Sequence, residues 1–295
     1  MGLGLLMIRK VVVPAAGLGT RLFPATKEQP KEMLPIFSRL VNGDVGVKPL
    51  LQMVFEQLYD AGFREFCFVV GRGKRSIEDH FTPDHNSVVM LKNRGKGDQA
   101  SDLDGFYMKL KTSTIIWVNQ PEPKGFGHAV LMTQPFVQNQ SCLVHAGDTY
   151  IISKNTEHLR LLMKTHERLK ADAAFLVQEM EDPRQYGVVE VEELEKGVYK
   201  VLAAVEKPEK PPSNLAIMPI YVFRPVIFEE LEKTAPGKGG EVQLTDAIQR
   251  LVDRGLNVCA VQLNPSEARL DIGSPETYWE ALSLSHRHFC RRTKV

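Results

Sequence analysis

Gly17, Gly19, Arg21 and Lys31 are the residues of this 295-residue chain whose types and spacing first suggest chemistry. They follow Val11-Val12-Val13, three β-branched residues that read as a buried strand. The strand runs directly into Pro14-Ala15-Ala16-Gly17-Leu18-Gly19-Thr20, a loop of mostly small residues whose backbone amides are unobstructed. Glycine lets such a loop turn where a Cβ would clash and lets N–H groups approach an anion. With Arg21 and Lys31 beside it, the stretch is suited to holding phosphate. Glycines after a strand also make ordinary tight turns, so the pair by itself carries little weight. A second candidate lies further on, where the apolar run Ser141 to Ala146 delivers Gly147-Asp148-Thr149-Tyr150. The carboxyl end of a strand is where open α/β sheets bind ligands, which makes Asp148 a candidate metal ligand.

The longer string is more specific. Gly17-Leu18-Gly19-Thr20-Arg21, Pro24-Ala25-Thr26-Lys27 and Pro30-Lys31-Glu32-Met33-Leu34-Pro35 together resemble the signature of the sugar-1-phosphate nucleotidylyltransferases, and most closely their uridylyltransferase branch. Other patches match in the same order: Gln120, Gly125-Phe126-Gly127-His128-Ala129, Asp148, Tyr186-Gly187-Val188-Val189, Glu206-Lys207-Pro208, Ser213-Asn214-Leu215-Ala216, Glu241 to Asp246, and Leu270-Asp271-Ile272-Gly273. The resemblance spans about Arg9 to Leu284.

The activity it implies is Mg²⁺-assisted transfer of a uridylyl group from UTP to glucose 1-phosphate, giving UDP-glucose and pyrophosphate. By the same resemblance, Ala15, Ala16, Gly17, Gly19, Thr20, Glu32, Gln120 and Gly125 bind the nucleotide. Arg21, Lys31 and Lys207 are the catalytic cations, and Asp148 and Asp271 hold the metal. Gly187, Glu206, Lys207 and Asn214 form the sugar-phosphate subsite, and His128 has a structural role. Neighbouring strand residues point to opposite faces, so Glu206 and Lys207 reach one site only if the strand ends or bends there, as Pro208 suggests.

Composition agrees with a small anionic ligand. The chain has 37 basic and 36 acidic residues, so no global field favours nucleic acid, and phosphate must be met by locally placed charge. Cys67, Cys142, Cys259 and Cys290 are widely spaced, which disfavours a zinc site or a disulfide framework and suits a reducing cytoplasm. Residues 1–8 are apolar without preceding basic residues, and Leu6 stands where a myristoylation signal needs Ser or Thr. They read as a flexible extension, with Met7 a candidate native start. No membrane span or internal repeat is expected. The resemblance implies a dimer or tetramer.

The elements that must position these residues form an α/β fold. A Rossmann-like mixed, mainly parallel sheet is flanked by helices, with a small antiparallel extension over the sugar site, in a single domain with its core at 9–284 and a tail at 285–295. Strands are expected at Phe66–Val70, Thr114–Val118 and Ser141–Ala146, then Ala174–Gln178, Gly187–Val191, Val198–Val205 and Ala216–Phe223, with a later one at Asn257–Leu263. Leu51, Val54, Phe55 and Leu58 give helical spacing after Pro49. Other helices are expected at Lys74–Phe81, Lys124–Leu131, Asn155–Lys170, Val226–Lys233 and Val242–Arg254, with a last one through Leu284. Ser38–Lys48 reads as a turn-rich linker longer than the family's segment. The polar stretch Asp84–Ser113 reads as a solvated excursion.

Three other readings bear comparison. A dinucleotide-binding oxidoreductase is disfavoured because Leu22 occupies the last position of G-x-G-x-x-G, and because Val70-Gly71-Arg72 offers no ribose-binding acid. A thymidylyltransferase shares nearly all these residues, and a non-catalytic nucleotide-sugar sensor could share the fold.

Overall fold

The computed structural model describes residues 8–290. The expectations for residues 1–7 and 291–295 lie outside the described residues. One nine-stranded mixed sheet runs through the chain in the order β5-β4-β1-β6-β11-β8-β12-β10-β9. Its strands are β1 (Lys10–Pro14), β4 (Glu65–Gly71), β5 (Thr114–Gln120), β6 (Cys142–His145), β8 (Ala173–Glu179), β9 (Gly187–Glu195), β10 (Val198–Glu206), β11 (Leu215–Phe223) and β12 (Val258–Gln262). The first four are mutually parallel, as are β8 and β12, whereas β11, β10 and β9 pair antiparallel with their neighbours. Two small antiparallel ladders stand apart, β2 (Pro35–Arg39) with β3 (Val45–Pro49), and β7 (Thr149–Ile152) with β13 (Ala268–Asp271).

Alternation along β1 explains the layers. Val11 and Val13 face one core with Phe55, Phe66 and Phe68, and Val12 faces another with Phe175, Phe223 and Ile248. A strand buried on both faces reads as a continuous apolar run. Helices α1 (Leu50–Asp60), α2 (Arg75–His80), α3 (His85–Asn93), α4 (Gly97–Lys111) and α7 (Glu157–Arg168) contribute side chains to the first core. Helices α5 (Phe126–Leu131), α6 (Gln134–Val137), α8 (Val226–Lys233) and α9 (Leu244–Asp253) serve the second. Leu51, Val54, Phe55 and Leu58 are all buried, as their spacing predicts.

Three stretches differ from expectation. Asp84–Ser113 is not a solvated excursion but the pair α3 and α4. Polar residues dominate there, yet Ala100, Phe106 and Leu110 fall on one helical side and are buried, with Leu103 packed against them. Ser38–Lys48 is not a linker but most of the β2–β3 hairpin. It is tied to α4 by Lys48 Nζ to Asp102 at 3.2 Å and by Asn42 Nδ2 to Asp98 at 3.0 Å. The final helix, α10 (Pro275–Cys290), continues past Leu284, so residues 285–290 are helical and not tail, with Ser285 fully buried.

Candidate active site

The strand order places the site. β1 lies between β4 and β6: the chain goes from β1 to β4 and β5 on one side and then crosses to β6 on the other, a switch point of the kind whose strand carboxyl ends bind ligands in open α/β sheets. The loops after β1, β4, β5 and β6 all emerge at that edge. Ala15 N donates to Val69 O at 2.8 Å and Gly147 N to Pro14 O at 3.0 Å, fixing the mouth of the β1 loop. Ala15 and Ala16 are buried, whereas Gly17 and Thr20 are exposed at the surface of the loop. Gly19 takes a left-handed conformation, φ +65°, and its carbonyl accepts the Thr26 hydroxyl at 2.8 Å, which closes the loop on itself.

Lys31 returns to this edge on a 3-10 turn and forms an ion pair with Asp148 Oδ2. Its Cε lies 3.9 Å from where a Cβ on Gly17 would stand, so the ammonium arm runs beside the glycine loop. Burial works against charge on Lys31, but Asp148, Glu32 and Asp271 outweigh it and hold its pKa above the ordinary value. Burial likewise opposes ionisation of Asp148, and Lys31 and Arg269 overcome it and depress its pKa. Glu32 points inward: 2% exposed, it meets Lys74 Nζ at 2.9 Å beneath the loop, and its burial raises its pKa despite that lysine. Arg21 is exposed, has no ion-pair partner among the described residues, and reaches the Gly273 side of the crevice.

The two aspartates meet through the β7–β13 ladder. Asp271 is the register partner of Thr149, and Ile272 N donates to Asp148 O at 3.1 Å. Their carboxylates are the groups here that could hold a divalent cation. Among the described residues no group of three or more Asp, Glu, His or Cys side chains is arranged to hold a metal ion.

Where the sequence leads one to expect the nucleotide, Gln120 is buried and donates from Nε2 to Gly125 O at 3.1 Å and to His128 Nδ1 at 2.9 Å. Burial first, then Lys124, lower the His128 pKa, so the ring is neutral and orients the amide. Gly125 and Gly127 admit the backbone of residues 241–243: a Cβ on either would stand within 2.9 Å of Val242 O.

Where the sugar phosphate is expected, Glu206 closes β10, and Lys207 turns out of the strand at φ +43°, with its Nζ 3.1 Å from Glu206 Oε1. The bend required for both to reach one place is therefore present. Gly187 is the register partner of Glu206. Asn214 is exposed just before β11, its carbonyl accepting from Met180 N.

Two residues escaped the sequence reading. Thr245, in a stretch read as a helix start, donates to Glu206 Oε2 at 2.7 Å. Arg269, its side chain 9% exposed, has Nη2 3.0 Å from Asp271 Oδ1 and its guanidinium 5.0 Å from the Tyr186 ring centre, while its Nε has no hydrogen-bond partner. Its signal was available, since residues two apart on a strand share a face and Arg269 precedes Asp271 by two.

The glycine loop, the two ladder-joined aspartates and the Glu-Lys pair are the charged and small residues of these loops, and the chain belongs to the nucleotidyl transferase family, whose sequence pattern matches residues 10–287. Its relatives are UTP–glucose-1-phosphate uridylyltransferases. The enzyme of that name from Pseudomonas aeruginosa is 36% identical over 294 residues, 98% of this chain and 100% of its own. That from Bacillus subtilis is 40% identical over 247 residues, 83% of this chain and 80% of its own. Among solved structures, a UDP-glucose pyrophosphorylase complexed with UDP-glucose superposes with a TM-score of 0.80 at 35% identity, covering 97% of this chain and 100% of its own. The chain is thus a nucleotidyltransferase enzyme.

Proposed function

We propose that this enzyme transfers a uridylyl group from UTP to glucose 1-phosphate, releasing pyrophosphate and forming UDP-glucose. The observation that carries the reading is the convergence of Lys31, Asp148, Asp271 and Arg269 beside the glycine loop, with Glu206 and Lys207 as a second charged pair of the site. The sugar-phosphate oxygen attacks the α-phosphorus in line, the bond to the β-phosphate oxygen breaks, and pyrophosphate leaves. Two unit charges 4 Å apart repel by about 4 kcal/mol at an effective dielectric near 20, so cations are needed between the reacting phosphates.

Lys31 and Arg21 hold the triphosphate and take up charge on the leaving pyrophosphate, and Lys207 holds the attacking phosphate. The loop amides at Ala15, Ala16, Gly17, Gly19 and Thr20 cradle phosphate, and Gln120 and Gly125 face the pyrimidine. Glu32 acts from below by fixing Lys31's turn. Gly187, Glu206 and Asn214 line the sugar subsite. No protein nucleophile takes part, and positioning and charge account for the assistance.

Two hard carboxylates fit Mg²⁺, which takes one or two protein oxygens and completes its shell with water and phosphate. Asp148 and Asp271 would hold it, and when bound it supplies charge neutralisation at the reacting phosphates. A single domain that includes α10 to its end, a homo-oligomeric state and a cytoplasmic location complete the reading. Among the described residues no helix is long and apolar enough to cross a membrane.

The test is pyrophosphate release with glucose 1-phosphate, comparing UTP, dTTP, ATP and GTP with and without EDTA. Metal-dependent release preferring UTP is expected. Preference for dTTP would transfer the mechanism to a thymidylyl reaction, and no release with any pair would leave a nucleotide-sugar sensor.

A further inference from the structure

Two side chains hold the Glu206 carboxylate. Oε2 accepts the Thr245 hydroxyl at 2.7 Å, and Oε1 faces Lys207 Nζ at 3.1 Å. Beside the Thr245 contact lies Gly187, where a Cβ would stand 2.7 Å from Thr245 Oγ1 and 3.2 Å from Glu206 Oε2. The three residues come from three places in the chain: Thr245 from the first turn of α9, Lys207 from the turn after β10, and Gly187 from the start of β9. α9 is itself fixed to β10 by Gln249 Oε1 accepting from Ala204 N at 2.7 Å. The Lys207 turn is fixed by its N–H donating to Tyr186 O at 2.9 Å.

A threonine in a first helical turn usually satisfies local backbone. Thr245 is 5% exposed and instead directs its hydroxyl to a carboxylate 39 residues away in sequence. Its β-branched side chain has few rotamers, which makes it a stiff anchor.

We infer that Thr245 is a positioning residue that sets sugar specificity by fixing the Glu206 carboxylate, and that Gly187 is glycine partly to leave room for that hydroxyl. The inference rests on the sugar-subsite reading above. An ionised carboxylate has about four lone-pair sites. Thr245 and Lys207 each engage one oxygen, so the remaining sites are fixed in direction and accept hydroxyl hydrogens only from a sugar that presents them there. A carboxylate released on one side follows the hydroxyl of an epimer and discriminates less.

The experiment measures steady-state kinetics for wild type, Thr245→Val and Thr245→Ser with UTP and either glucose 1-phosphate or galactose 1-phosphate. In Thr245→Val, KM for glucose 1-phosphate rises about tenfold, as for one lost hydrogen bond to a charged group. The glucose-to-galactose ratio of kcat/KM falls by a similar factor, KM for UTP stays within about twofold, and Thr245→Ser restores both values. Gly187→Ala produces the same loss, and adding Thr245→Val to it costs little more, because both act on one contact. An unchanged sugar ratio, or equal rises in KM for both substrates, would overturn the assignment and leave Thr245 structural. Wild-type inactivity with UTP and glucose 1-phosphate would overturn the functional reading itself, which keeps the two failures distinct.

Discussion

Lys31 and Asp148 neutralise each other in a crevice where neither is well solvated, with side chains 14% and 23% exposed. The charge on each depends on its partner, and removing either leaves the other partly buried and uncompensated. Lys31→Ala and Asp148→Asn should therefore each lower kcat by about two orders of magnitude, the scale of one lost charge-stabilising group. Near wild-type turnover in a folded Asp148→Asn protein would remove that residue from the site. Arg269 makes a different prediction. Replacing it by Met leaves Asp148 and Asp271 with one fewer cation, so the variant should be destabilised by about 3 kcal/mol in denaturant. Its thermal midpoint should then rise more on adding Mg²⁺ than that of wild type, and an equal rise in both would show that Arg269 does not balance the aspartates.

Elements hold these charges in register, and glycines decide how closely they approach. A Cβ on Gly127 would lie 2.7 Å from Val242 O, a backbone atom that cannot step aside as a side-chain tip would. Gly127→Ala should cost about 1–3 kcal/mol of stability by overpacking, with activity falling as α5 moves off the α9 segment. Gly105 is the opposite case: it lies inside α4 with nothing within 4 Å of its missing Cβ. Gly105→Ala should stabilise the protein by about 0.5–1 kcal/mol, read from the urea midpoint, because alanine loses less backbone entropy in a helix. No gain there would argue against the helix that the sequence reading missed. That miss has a physical cause. α4 contains three aspartates and two glycines, which mask a spacing of Ala100, Leu103, Phe106 and Leu110 that is enough to bury one side. The β2–β3 hairpin was hidden for a related reason, since its Lys48 is buried only because α4 supplies Asp102 and α1 supplies Glu56.

Across the whole molecule, buried histidines link stability to pH. Burial pushes His145 down to about 4, and burial with Arg224 nearby does the same to His166. Their unfolded values lie near 6.5, so between pH 6.5 and 4 the unfolded chain binds more protons than the folded one. The stability from keeping them neutral is complete above about pH 6.5, is lost as pH falls through that window, and is gone below the folded values. Between pH 7 and pH 5 the loss is about 2 kcal/mol for each histidine. Urea midpoints across this range should fall in wild type, and less steeply in His166→Leu. Equal slopes in the two proteins would show that His166 does not contribute.

The sequence by itself determined what is local: the strand entering a small-residue loop, the left-handed glycine at Gly19, the end of β10 before Pro208, and the helical spacing of α1 and α8. These follow from backbone sterics and from periodicities of two and 3.6, which neighbouring residues carry in full. Tertiary structure alone decided which charges meet. Lys31 and Asp148 are 117 residues apart, and Glu206 finds Thr245 rather than water. Such pairings depend on strand order and on which helix crosses which sheet edge. Those are settled by burying two cores at once, and no single stretch of sequence records them.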